Sequence, residues 1–144
     1  MSIAERSRDR VLAAVQGELE PGETVQACLP SAQTGPTPWF ALLTYLIYFW
    51  IRMLGIVVTD RRVILVKRGT LTNRVKGVDA AFPRSGVAVT DWHAANLWSR
   101  LVLSTPTGPL KVNVHRLYKV GAQSVVAALA QPPVAPPPPP APPA

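Results

Sequence analysis

The sequence predicts a small α+β domain, mainly β, in which short strands and hairpins are flanked by helices. Three observations predict this class. After residue 55 the apolar residues come in β-branched runs, IVV at 56–58 and VILV at 63–66, or alternate, as Leu110, Val112 and Val114 do with Lys111, Asn113 and His115. Helical periodicity is confined to residues 2–19, to residues 118–131 and to one apolar stretch, residues 37–55. Nine of the last 13 residues of the 144 are proline, so about 130 residues remain to fold, enough for one domain.

Residues 2–19 read as a helix opened by a capping box, because the Ser2 hydroxyl can accept from the Glu5 N–H while the Glu5 carboxylate reaches back to Ser2. Val11, Leu12, Val15 and Leu19 follow at helical spacing, and this face should pack on the domain. Pro21 and Gly22 end it. Residues 24–29 read as a first strand with Val25 and Ala27 on one face, stopped by the Pro, Ser and Gly residues of 30–36.

Residues 37–55, TPWFALLTYLIYFWIRMLG, hold six of the ten aromatic residues, all between Trp39 and Trp50. Thr37 suits an N-cap, Pro38 the first helical position and Gly55 a stop, so a helix is expected here. A helix of this size is roughly 25 Å long, short of the roughly 30 Å hydrocarbon core of a bilayer. The aromatics gather toward both ends, around Leu42, Leu43, Leu46 and Ile47, as in helices that touch lipid. Thr44, Tyr48 and Arg52 recur at i, i+4 and i+8 as a narrow polar stripe, which suits a helix lying in the membrane interface.

The remaining elements are short. Asp60, Arg61 and Arg62 separate the runs 56–58 and 63–66, a hairpin signal. A weaker strand is expected over 74–78, and Val87, Val89 and Asp91 alternate with Ala88 and Thr90. Beyond Trp92 and Trp98, which are expected in the core or as plugs, residues 100–116 read as a second hairpin turned by Pro106, Thr107, Gly108 and Pro109. Tyr118, Ala122, Val125, Val126 and Leu129 place a closing helix over 118–131, stopped by Pro132. Residues 132–144 cannot build a core and are expected as a disordered, polyproline-like tail.

The formal charge of +7 is uneven: residues 1–35 carry three basic and five acidic side chains, leaving +9 on the part that contains the apolar stretch. Basic charge beside aromatics suits an anionic membrane surface. Nucleic acid is the second class of partner, and a homo-oligomer or other protein covering the aromatics is the third. The single Cys28 excludes an internal disulfide and a cysteine zinc cluster, and reads as a small buried hydrophobe. Charges alternate at Glu5, Arg6, Arg8, Asp9 and Arg10 where a signal peptide needs an apolar run, so a cytoplasmic location is expected. Asp91, His93 and His115 do not assemble a nucleophile with its base, or a metal-ligand spacing, and no glycine-rich phosphate loop is present. No enzymatic activity, metal or cofactor is therefore expected.

The order of elements, with LEPGETV at 19–25 and VVTDRRVILV at 57–66, resembles the bacterial pleckstrin-homology-like domains. The match to that family's recurrent hairpin lies at Thr59, Asp60, Arg61, Arg62 and Val63, and the resemblance covers roughly residues 19–131. It implies a partly open seven-stranded barrel of two packed antiparallel sheets, capped by a C-terminal helix and acting as a binding module. On this reading residues 1–20 are an N-terminal helix, 21–131 the domain and 132–144 the tail. Residues 37–55 become an insert between the first two strands. Those strands pair, so they share one side of any membrane, and the insert should lie in the interface, or dip in and return, rather than cross it. The resemblance thus points to a non-enzymatic module at the cytoplasmic face of a bacterial membrane. The expected membrane contacts are Trp39, Phe40, Leu43, Leu46, Ile47, Phe49 and Trp50. Arg52, Arg61, Arg62, Lys67 and Arg68 are expected to meet anionic lipid or phosphate. Arg52 is the only basic residue of the insert, which argues against stereospecific phosphoinositide recognition.

Overall fold

The computed structural model describes residues 2–34, 52–69 and 74–131. Helix α1 (Ile3–Gln16) leads into seven strands, β1 (Val25–Thr34), β2 (Arg52–Thr59), β3 (Arg62–Arg68), β4 (Val75–Pro83), β5 (Ala88–His93), β6 (Trp98–Thr105) and β7 (Gly108–His115), followed by helix α2 (Lys119–Ala130). Short 3-10 turns at Arg84–Gly86 and Arg116–Tyr118 precede β5 and α2. The strands form one antiparallel sheet in the order β4-β3-β2-β1-β7-β6-β5, whose edges β4 and β5 are not paired with each other. The sheet is therefore curled but open at one seam, the partly open, seven-stranded arrangement expected from the sequence.

Strand β1 runs further than expected, through Pro30 and Ser31, because those two residues form a bulge. Leu29 pairs with Ile56, pairing resumes at Ala32 with Leu54, and Gln33 faces both Met53 of β2 and Asn113 of β7. A proline has no N–H to give a ladder, and a bulge is where a strand tolerates one. The bend carries β1 from one half of the sheet into the other.

Two apolar layers explain why the β1–β3 region reads as near-continuous hydrophobic runs. On the inner face Leu29, Ile56, Val58, Val63 and Leu65 pack with Leu101, Leu103, Val112 and Val114, and Ala122, Val125 and Ala128 of α2 close that core. On the outer face Cys28, Val57, Ile64 and Val66 pack under Val11 and Val15 of α1. Helix α1 opens with the expected capping box, in which the Ser2 N–H donates to Glu5 Oε2 at 2.7 Å and the Glu5 N–H donates to Ser2 Oγ at 3.1 Å. Helix α2 lies close to the bend of β1, and the missing side chain of Gly121 makes room, because a Cβ there would stand 2.8 Å from the Cys28 carbonyl oxygen.

Several boundaries differ from expectation. The helix expected over 37–55 cannot reach Gly55, because Arg52, Met53, Leu54 and Gly55 are the first half of β2, paired with β1 and β3. Residues 37–51 and the tail 132–144 lie outside the described residues. The weak strand expected at 74–78 is the nine-residue edge strand β4. Among the described residues no helix is long and apolar enough to cross a membrane.

Candidate functional site

The cations of the β2–β4 hairpins divide into two groups by the face of the sheet they occupy. Along β3, Arg62, Ile64, Val66 and Arg68 alternate with Val63, Leu65 and Lys67, and Ile64 and Val66 lie under α1. Arg68 is drawn under the same helix, whereas Arg62 reaches the link that follows it. Arg68 is 3 % exposed and its guanidinium donates to the Pro30 carbonyl, with Ser7 Oγ of α1 at 3.4 Å. Burial lowers its pKa from the usual arginine value. Arg68 is expected from the sequence at the lipid surface; in the structure its guanidinium is enclosed beneath α1.

Arg62 belongs to a polar joint between the two sequence motifs. Its Nε and terminal nitrogen contact the Glu23 carboxylate at 3.0 Å, and it also donates to the Glu18 carbonyl at the end of α1. The Thr59 hydroxyl donates to Glu23 Oε2 at 2.6 Å and accepts from the Arg61 and Arg62 N–H groups, which closes the β2–β3 turn. Thr24 and Asp60 add a backbone pair and a side-chain bond, with the Thr24 N–H donating to Asp60 Oδ1 at 3.0 Å. Burial alone would raise the Glu23 pKa. The bonds from Arg62, Thr59 and the Glu20 N–H outweigh it and hold the carboxyl below the usual range. Arg62 is thus committed to the fold. Arg61, with its side chain 41 % exposed, is shared with Glu20 at 3.2 Å and stays at the surface.

The second group is solvent-facing. Arg52 opens β2 opposite Thr34, Lys67 pairs with Leu54 and with Gly77, and Arg74 and Lys76 flank the start of β4, where Val75 pairs with Arg68. All four are exposed, and none forms an ion pair with another described residue. The register gathers them where the chain enters and leaves residues 35–51 and 70–73. Arg74 and Lys76 were not among the expected contact residues; the signal that finds them is the register of β4 on β3, which brings its start beside Lys67. The seven expected membrane contacts, Trp39, Phe40, Leu43, Leu46, Ile47, Phe49 and Trp50, lie outside the described residues.

The polar residues elsewhere have structural employment. Asp91 pairs with Arg100 at 2.7 Å across β5 and β6. His93 ends β5 in solvent. His115 is half-buried: its ring stands edge-on to Trp98 at 5.0 Å, and its Nδ1 accepts from the Leu117 N–H at 3.3 Å. Burial first, and the neighbouring Arg116 charge second, lower its pKa. Trp92 packs against the core, as expected. Arg84 was missed: 4 % exposed, it donates to the last carbonyls of α2 at Ala128, to Gln26 and to the Thr59 carbonyl, a cation at a helix C-terminus. Among the described residues no three His, Cys, Asp or Glu side chains converge on a possible metal position.

The bent first strand pairs with both β2 and β7, the sheet opens between β4 and β5, and a C-terminal helix closes the core. This is the arrangement that the resemblance to bacterial pleckstrin-homology-like domains implies. The domain is similar to the crystal structure of a pleckstrin homology domain from Shewanella amazonensis, with a TM-score of 0.47 and 20 % identity over 85 % of this chain and 97 % of that one. No protein-family model matches the chain, and neither does any curated protein.

Proposed function

We propose that this pleckstrin-homology-like domain is a non-enzymatic binding module seated on an anionic membrane, at the cytoplasmic face of a bacterial cell. In this reading Arg52, Lys67, Arg74 and Lys76 meet the headgroups while the aromatic segment of residues 37–51 enters the interface. The observation that carries it is the gathering of four exposed cations, free of acidic partners among the described residues, where that segment leaves the sheet. Each cation contributes about 1 kcal/mol near an anionic leaflet, so four give useful but reversible attraction, and interfacial aromatics add to it. Arg61 and Arg62 lie at the β2–β3 turn, the far end of the hairpin from these four cations, and Arg68 is held beneath α1. The free thiol of Cys28 fits a reducing compartment. Fractionation of cells expressing a tagged chain tests the reading. It predicts recovery with membranes and partial release by high salt; complete recovery in the soluble fraction at low salt without detergent would sink it, and release as a nucleic-acid complex would assign the cations to nucleic acid instead.

A further inference from the structure

We propose that the start of α2, with the β5–β6 connection, forms a second contact surface for the same anionic bilayer; this rests on the membrane reading above. Among the described residues six large hydrophobic side chains are markedly exposed, and three of them meet here: Leu97 at 51 %, Leu117 at 48 % and Val120 at 78 %. The Arg116 N–H donates to the Leu97 carbonyl at 2.8 Å, which sets Leu97 beside Leu117, and Leu117 and Val120 stand at i, i+3 on one face. A fourth, Ile3 at 59 %, lies between Ser2 and Ala4, which line a groove of about 460 Å3 whose opposite wall is Leu117 and Val120. Scattered exposed aliphatics are ordinary, but here Leu117 and Val120 line one groove, Ile3 sits between two of its lining residues and Leu97 is tied by its carbonyl to Arg116 beside Leu117.

Charge selects the partner. Arg116 and Lys119 flank the aliphatics, and no Asp or Glu occurs after Asp91 in the sequence. The acid facing the groove is Glu5, which is engaged by Ser2 in the capping box, and Arg8 lies in the same wall. A two-fold contact with a second copy would set Arg116 and Lys119 against their own like charges, whereas an anionic bilayer accepts both the cations and the aliphatics. The surface also adjoins the proposed headgroup-facing end. Gln33 and Met53, at the base of the segment 35–51, line one small hollow together with His115 and with Trp98 and Tyr118, the chain neighbours of Leu97 and Leu117. One flat bilayer can therefore touch both surfaces.

Sedimentation of the full chain with vesicles of phosphatidylglycerol and phosphatidylcholine tests this, comparing wild type with the double variant Leu117→Glu/Val120→Glu, whose folding is checked by circular dichroism. A second measurement places an environment-sensitive fluorophore at V120C or, as a control, at S104C. Ser104 is an exposed residue at the far end of β6 from Trp98, and Cys28 is too buried to take the label. The expected result is at least tenfold weaker sedimentation of the double variant, with a blue shift of the V120C label and none of the S104C label on anionic vesicles. Wild type that binds while the double variant binds equally, or labels that shift alike, overturns this inference and leaves the membrane reading standing. Failure of wild type to bind at all overturns both. Loss of a wild-type dimer in the double variant with unchanged vesicle binding would give the surface to a second copy and overturn the inference.

Discussion

The Arg62 guanidinium lies 3.0 Å from the Glu23 carboxylate, whose side chain has no exposure to solvent, and this pair joins LEPGETV to VVTDRRVILV. The two partners are not equivalent, because the Arg62 side chain keeps 24 % exposure. Removing Arg62 strands a buried carboxylate, while removing the carboxylate leaves a guanidinium that can turn toward water. Arg62→Met should therefore cost about 3 kcal/mol and Glu23→Gln about 1–2 kcal/mol. Arg61→Met, which breaks only the surface pair with Glu20, should cost about 0–1 kcal/mol. Urea denaturation of the three variants checks the ranking; equal effects of Arg61→Met and Arg62→Met would contradict it.

The same carboxylate sets an acid limit. Its folded pKa lies below the reference value of 4.5, so the unfolded chain binds this proton more readily. The stabilisation is complete above the unfolded pKa and is lost as pH falls through the folded one. Stability should be insensitive to Glu23 between pH 6 and 8, on the order of neutral conditions. In the Glu23→Gln variant the loss of stability on acidification should be shallower than in wild type, which a urea series at stepped pH measures.

Gly121 and Gly17 should respond oppositely to alanine. A Cβ at Gly121 would meet the Cys28 carbonyl at 2.8 Å, the Leu29 Cα at 3.3 Å and the Pro30 ring at 3.1 Å, backbone atoms of the bent β1 and a ring fused to it that cannot swing aside. Gly121→Ala should destabilise by about 1–3 kcal/mol despite the better helix propensity of alanine. Nothing lies within 4 Å of a Cβ at Gly17, whose φ of −72° suits any residue, so Gly17→Ala should gain about 0.5 kcal/mol. Thermal melts of the pair are the check.

Cys28 should be chemically silent. Burial pushes its thiol pKa up to about 11, against the weaker opposing effects of Arg8 and Arg68. A thiol reagent at pH 8, on the order of ordinary labelling conditions, should leave the native chain unmodified and react once denaturant is added. Fast labelling of the native chain would mean that the outer layer beneath α1 is open.

What the sequence made legible follows how each segment is buried. The runs IVV and VILV were readable as strands because both faces are covered, by the barrel core and by α1. The capping box of Ser2 and Glu5 needs only local geometry and is legible in the sequence. Strand β1 reads from the sequence only as far as Leu29 because Pro30 looks like a stop, and its bulge becomes intelligible only with β2 and β7 in place. Arg62 and Arg68 were read as surface cations, although they share the parity of Ile64 and Val66. What sequence withheld was that α1 covers that face, which depends on tertiary packing. Glu23 carried no signal beyond its place in LEPGE, and its partner is 39 residues away.

The central claim is that the four exposed cations hold the domain on anionic lipid, and flotation of the full chain with phosphatidylglycerol vesicles tests it most directly. The account predicts flotation at low salt, little with phosphatidylcholine alone, and for Lys67→Ala/Arg74→Ala a loss of roughly 2 kcal/mol, about thirty-fold, with an unchanged melting temperature. A chain that stays at the bottom of the gradient with anionic vesicles, or a double variant that floats as wild type does, would contradict it.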